Sequence, residues 1–182
     1  AASRTSPRVT CVDKSNVLRS FALFREIFDS NAAQHSDITA DHLYADAAAA
    51  ALVEHPGTFD VLVTENFVGD ILSDLGAATV GGLGMCPSGN IGDDAAYFEP
   101  IHGSALALAG QDRANPLATI LSAAMLLDWL GEAPAAMRIR SAVERTLATA
   151  TISLNANGTT PQGTKAAANA DKTKPCPAGF YG

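Results

Sequence analysis

Short β-rich runs alternate with stretches of helical period along this chain, and the alternation predicts an α/β protein with much parallel strand pairing. Arg8–Val12 is the first β-rich run. Behind it Val17, Phe21, Phe24 and Phe28 recur at i, i+4, i+7 and i+11, while Arg19, Arg25, Glu26 and Asp29 fall mostly elsewhere, as on an amphipathic helix. Ile38–Leu43 reads as a second strand and Tyr44–Glu54 as an Ala-rich helix stopped before Pro56-Gly57. Phe59–Thr64 reads as a third strand and Val68–Thr79 as the helix behind it. Gly81-Gly82-Leu83-Gly84 and Pro87-Ser88-Gly89-Asn90-Ile91-Gly92 then punctuate the chain, and a domain change is expected there. Ala95–Phe98 is a short strand. Pro116–Gly131 predicts a strong helix, with Asn115 as N-cap, Pro116 at the first helical position and Gly131 past the end. Ala135–Thr149 predicts a second amphipathic helix, and from Asn155 onward the chain turns polar and loses both periods.

Composition narrows the classes. The 182 residues are 47% hydrophobic and 17% charged, a globular balance, with a formal net charge of −7. Lys and Arg are not clustered, so no nucleic acid and no anionic membrane surface is expected as a partner. No secretory signal pattern opens the sequence. Leu117–Leu130, the longest apolar region, is too short to span a bilayer and carries Asp128, so it reads as a buried helix. Cys11, Cys86 and Cys176 are too scattered for a disulfide framework or a structural zinc site, and reduced thiols in a cytoplasmic or organellar-matrix protein are expected.

Candidate chemistry lies in four segments. In Glu65–Asp74 (E-N-F-V-G-D-I-L-S-D), Asp70 and Asp74 stand at i and i+4 on a helix opening behind a strand. Like charges there repel unless a cation sits between them, although a solvated helix terminus would also carry two acids. Lys14 sits at a strand-to-helix turn, where burial beside a cation favours the neutral amine that a base requires; a surface turn lysine is the plainer reading. Asp46 leads into a helix of small residues, as a metal ligand or as a charge favoured by the helix dipole. Together the three acids would make an all-oxygen site suited to Mg²⁺ or Mn²⁺. In Glu99-Pro100-Ile101-His102-Gly103-Ser104-Ala105, free N–H groups after Gly103 and Ser104 would suit a phosphate and His102 a ring, or the segment is a structural turn. No G-x-G-x-x-G is present, so a classical Rossmann fold is not expected.

These segments follow one another in the order and spacing of a known family. V-D-K-S-N-V-L, Y-A-D-A-A-A, T-E-N-F-V-G-D-I-L-S-D, G-G-L-G-M, E-P-I-H-G-S-A and A-N-P-L-A-T-I-L-S-A-A-M-L-L resemble the metal-dependent β-decarboxylating dehydrogenases, among them isopropylmalate, isocitrate, homoisocitrate and tartrate dehydrogenases. The resemblance runs from about Val9 to Leu130 and more weakly to about Ala170. It implies the C-terminal half of the isopropylmalate dehydrogenase-like fold, a mixed sheet flanked by helices. Residues 1–80 would belong to a small, dimer-forming domain and 81–170 to a large, cofactor-binding domain, with 171–182 an unmatched tail. It further implies NAD-linked oxidation of a 2-hydroxy acid followed by loss of its β-carboxylate as CO₂, a step of leucine biosynthesis for isopropylmalate. Asp70 and Asp74 would ligate Mg²⁺ or Mn²⁺ with Asp46 of a neighbouring subunit, giving a homodimer with a shared active site. Lys14, also reaching across the dimer, would take the hydroxyl proton. Asn16, Val17 and Asp46 would meet the substrate, Val17 against a branched alkyl group as in isopropylmalate. His102, Gly103, Ser104, Ala105 and Asn115 would hold NAD, His102 against the adenine.

The sequence also departs from that pattern. The family's chain is about twice this long, and the half not represented would hold the substrate-carboxylate arginines and a catalytic tyrosine acid. Leu106 and Ala107 stand where NAD-using relatives have Pro and Asp, so a net hydrogen bond of about 1 kcal/mol to the adenosine ribose is absent, and no basic residue replaces it to favour NADP. Pro87–Gly92 leans toward isocitrate or tartrate types. A truncated or degenerate relative acting as a subunit or interaction module is the competing reading, and this polypeptide by itself is expected to show no dehydrogenase activity and to oligomerise or need the other half.

Overall fold

The computed structural model describes residues 7–149 and is a mixed α/β structure; the polar segment from Asn155, the 171–182 tail and Cys176 lie outside the described residues. The chain divides into two compact units, one up to Gly76 and one from Ala77 on.

The first unit is built on a parallel sheet in the order β2-β1-β3, with β1 at Arg8–Asp13, β2 at Thr39–Tyr44 and β3 at Val61–Thr64. The central strand is the most buried one, and Cys11, Val12 and Asp13 at its carboxyl end are fully buried. Parallel neighbours need crossovers, and helix α1 (Arg19–Ala32) supplies the first, α2 (Ala45–Glu54) the second. One core gathers Val12, Phe21, Ala48, Leu52, Val68 and Leu72. The periodic face therefore starts later than the sequence pattern suggests. Val17 is 67% exposed and lies in a turn closed by the Val17 and Leu18 amides on the Lys14 carbonyl, both at 3.0 Å, with the helix beginning at Arg19. The third strand is likewise shorter than Phe59–Thr64, because Pro56–Thr58 forms a tight turn whose carbonyl at Pro56 takes the Phe59 amide.

Helix α3 (Asn66–Thr79) starts two residues before the expected Val68. Glu65 explains this: its Oε1 accepts from the Val68 amide at 2.7 Å and its Oε2 from the Phe67 amide at 2.9 Å, so a glutamate meets the orphan donors of the first turn. Asp70 consequently lies beyond the first turn, which holds no acid, and the dipole argument for it weakens.

In the second unit, β4 (Pro87–Ile91) and β5 (Ala96–Pro100) pair antiparallel. The sequence reads Pro87–Ile91 as punctuation, yet it is a strand. Gly89 is the reason: it is buried opposite Phe98, and a Cβ on it would stand 2.8 Å from Phe98 Cδ1 and 3.2 Å from Met125 Cε. The glycine lets the ring and helix α4 (Leu117–Trp129) close on the strand, rather than breaking it. α4 buries Leu117, Ala118, Ser122 and Ala124, while Leu126 and Trp129 remain partly exposed, so one face rather than the whole helix is covered. It ends in a Schellman arrangement, the Gly131 amide (φ +83°) on the Asp128 carbonyl and the Glu132 amide on that of Leu127. Helix α5 (Ala133–Thr149) follows and packs on α4. No helix among the described residues is long and apolar enough to cross a membrane.

Trp129 is the chain's one tryptophan and its ring centroid lies 6.4 Å from that of Phe98, so its fluorescence reports on this unit. Gly89→Ala is expected to lower the stability of the second unit by about 1–3 kcal/mol through overpacking against Phe98. The check is the urea midpoint of Trp129 fluorescence, and an unchanged midpoint would refute the packing argument.

Candidate active site

The register of β1 on β2 pairs Asp13 with Tyr44, so the two strands end side by side. Lys14 and the first turn of α2 leave the sheet from these ends, and the Lys14 ammonium donates to Asp46 Oδ1. The Lys14 side chain is 28% exposed and that of Asp46 72%. The hydrogen bond from Lys14, then that from its own backbone, holds the Asp46 carboxyl below the usual carboxylate range. Asn16 and Val17 are exposed on the same turn as Lys14.

Beneath that turn lies a group whose part was not read from the sequence. Asp13 is fully buried, and Arg25, one-third exposed or less, places both Nε and Nη2 2.8 Å from its Oδ2. The other oxygen, Oδ1, accepts the Ser15 amide at 2.8 Å, closing an Asx turn around Lys14. Burial alone would raise the Asp13 carboxyl, but the hydrogen bonds from Ser15 and Arg25 and the guanidinium charge outweigh it, and the carboxyl sits below its ordinary range. Burial, then the Asp13 charge, pushes the neighbouring Cys11 thiol up to about 11. The only sequence signal for this pair is an acid ending an apolar strand; its partner lies twelve residues on, across a turn and part of a helix.

Cys11, Asp13 and His42 bring three potential metal-donor atoms within 4.8 Å of one another. That trio is already compensated: Arg25 occupies Asp13, the thiol holds its proton, and His42 Nε2 lies 2.8 Å from Asp29 Oδ1 with Phe28 edge-on at 5.4 Å. Asp70 and Asp74 differ. Both are exposed on successive turns of α3, and among the described residues no hydrogen bond or ion pair engages either carboxylate. As exposed, unpaired oxygen donors they fit a hard divalent cation. Within one chain, Asp46 does not join them in a cluster of donor atoms.

The other sequence-derived candidates lie in the second unit. His102 is half-buried with Nδ1 2.9 Å from the Gly103 carbonyl. Gly103 faces open space and Ser104 is exposed. Ala105 adopts φ +45°, ψ +50°, a left-handed conformation uncommon for alanine, just before the tight turn Leu106–Leu108. Asn115 ends the loop firmly: its Oδ1 accepts the Leu117 amide at 3.0 Å, its Nδ2 lies 3.6 Å from Met85 Sδ, and it lies so close to Gly84 that a Cβ there would stand 2.9 Å away. The N-cap itself is Pro116 rather than the expected Asn115, since the Pro116 carbonyl accepts the Ile120 amide and the helix starts at Leu117; Asn115 serves one residue earlier, accepting the Leu117 amide.

Comparison with known proteins gives a consistent picture. The model of the family "Isocitrate/isopropylmalate dehydrogenase" matches residues 1–169. The 3-isopropylmalate/3-methylmalate dehydrogenase of Methanocaldococcus jannaschii is 51% identical over 142 residues, 78% of this chain and 43% of that protein. The homoisocitrate dehydrogenase of the same organism is 51% identical over 138 residues, 75% of this chain and 40% of that protein. Among solved structures, isocitrate dehydrogenase from Methylococcus capsulatus superposes with a TM-score of 0.75 at 46% identity, covering 78% of this chain and 42% of its own. The chain spans about two fifths of the length of the curated relatives it matches.

Removing one partner of a buried ion pair leaves the other charge uncompensated, so Asp13→Asn is expected to cost about 3–5 kcal/mol at pH 7. The folded-state pKa of Asp13 is lowered, so its contribution is complete above the unfolded-state value of about 3.9 and is lost as pH falls through the folded-state value. Urea denaturation followed by circular dichroism should therefore show the gap between wild type and Asp13→Asn narrowing in strong acid. A gap that stays constant as pH falls from neutral through the acid range until wild type itself unfolds would contradict it.

Proposed function

The chain belongs to the isocitrate/isopropylmalate dehydrogenase family, and we propose that it serves NAD-linked oxidative decarboxylation of a 2-hydroxy acid, 3-isopropylmalate first among the candidates. The observation that carries this reading is the Lys14–Asp46 pair, held at the carboxyl edge of a parallel sheet in the same unit as two unpartnered carboxylates, Asp70 and Asp74. Lys14 Nζ, which donates to Asp46 in the resting chain, would take the substrate hydroxyl proton as the neutral amine, after giving up its own proton and its bond to Asp46. Asp46, Asp70 and Asp74 would hold Mg²⁺ or Mn²⁺, which when bound polarises the hydroxyl oxygen and the ketone formed from it. Because Asp46 does not cluster with the other two acids in one chain, a site using all three takes Asp46, and Lys14 with it, from a second copy. This supports a homodimer with a shared site.

Val17, exposed beside Lys14, presents an apolar surface to a branched alkyl group, and Asn16 offers a polar contact. The open loop from His102 to Asn115 is read as the adenosine side of the NAD site, with the ribose unpaired at Ala107. Homoisocitrate is the second reading, since a homoisocitrate dehydrogenase is as similar to this chain, at 51%, as the isopropylmalate/methylmalate enzyme.

A chimera in which these residues replace their match in the Methanocaldococcus jannaschii 3-isopropylmalate/3-methylmalate dehydrogenase tests the reading. It is expected to reduce NAD with 3-isopropylmalate in a Mg²⁺-dependent reaction abolished by chelation. Lys14→Met should lower kcat by about 10²–10⁴-fold, the range for a general base, and Asp70→Asn should raise the Mg²⁺ requirement. A folded chimera that binds Mg²⁺ yet never reduces NAD with either hydroxy acid would overturn the assignment. The 182-residue chain alone is expected to show no turnover under the same conditions, and turnover by it would refute that expectation.

A further inference from the structure

Lysine ends a flexible four-carbon stem, and one hydrogen bond to a mostly exposed carboxylate does not hold such a side chain in one place. Lys14 has a second contact. Its Nζ lies over the Tyr44 ring, 5.7 Å from the centroid, and the Arg25 guanidinium carbon lies over the same ring at 5.4 Å. Both distances are within the range of cation–π attraction. Two cations on one ring repel unless each is balanced, and each is: Arg25 by Asp13 and Lys14 by Asp46. Tyr44 is itself placed by the sheet, opposite Asp13 in the register, and it immediately precedes the helix that carries Asp46.

We infer that Tyr44 is a positioning residue for Lys14: its ring is the surface that transfers the fixed position of the buried Asp13–Arg25 pair to the Lys14 side chain. The inference rests on reading Lys14 as the base, and it makes the aromatic ring, rather than the phenol oxygen, the working part. The Asx turn at Ser15 fixes the Lys14 backbone, Asp46 fixes the end of the side chain, and Tyr44 defines the path between them.

Nuclear magnetic resonance of the full 182-residue chain tests this. The chain has four lysines, Lys14, Lys165, Lys172 and Lys174, and Lys14→Arg identifies the relevant signals. In wild type the Lys14 Hε protons should be shifted upfield of those of the other three by the ring current. Tyr44→Phe, which keeps the ring, should keep that shift; Tyr44→Leu should abolish it while the Ser15 amide stays protected from exchange. Loss of the shift in Tyr44→Phe, or its survival in Tyr44→Leu, would overturn the inference. Should Tyr44→Leu fail to fold, the wild-type spectrum still decides, because Lys14 signals coincident with the other lysines would overturn it alone. No substrate, metal or NAD enters this measurement, so its failure is distinguishable from failure of the turnover reading.

Discussion

A carboxylate with no solvent exposure must find a cation inside the protein, and that demand organises the first unit. Asp13 meets it with Arg25, reached from the second turn of α1. An uncompensated charge there would cost several kcal/mol, so the strand end, the turn and the helix are constrained to one arrangement. The Asx turn at Ser15 and the placing of Arg25 over Tyr44 both go with satisfying this one carboxylate. The exposed chemistry at Lys14 is thus built on a buried pair that never touches substrate in the proposed reaction. Rigid support beneath a solvent-facing group is what a positioned base needs.

The second unit achieves local order differently, through glycines and one amide side chain. Gly89 allows Phe98 and Met125 to close over β4, and Gly84 allows Asn115 to pack against the turn at Leu83–Met85. Asn115 at the same time accepts the amide of Leu117, the first residue of α4, so the loop that starts at His102 is anchored at its far end by a residue with two duties. Between these anchors the loop is open and mostly exposed, and it carries the one left-handed alanine among the described residues, at Ala105. Anchored ends with a permissive middle suit a segment that receives a ligand.

Much of the fold was legible because its helices are amphipathic and its strands lie between turn residues. The failures share a cause: they depend on contacts distant in sequence. Val17 has the right spacing for the α1 face, but the Lys14 carbonyl claims its amide and the helix waits until Arg19. Pro87–Ile91 has a turn composition and becomes a strand only because Phe98 needs the space above Gly89. Glu65 is a poor N-cap by type, yet its longer side chain meets two first-turn amides. At the site, Lys14, Asp46, Asp70 and Asp74 stand out as charged residues in apolar surroundings, but the meeting of Lys14 with Asp46 depends on strand register, and Arg25 and Tyr44 draw notice only after folding.

The pairing of Asp13 with Tyr44 divides the chain into segments with different tolerance for length. Residues added or removed between the end of α1 and Thr39 can be absorbed by the connection, because the ladder from Arg8↔Thr39 to Asp13↔Tyr44 resets the alignment afterward. A single residue gained or lost inside β2 has the opposite effect. It would turn every following side chain of that strand to the other face and carry Tyr44 and Asp46 away from Lys14 together. The chemistry is therefore insulated from drift in the crossover and exposed to drift in six residues of strand.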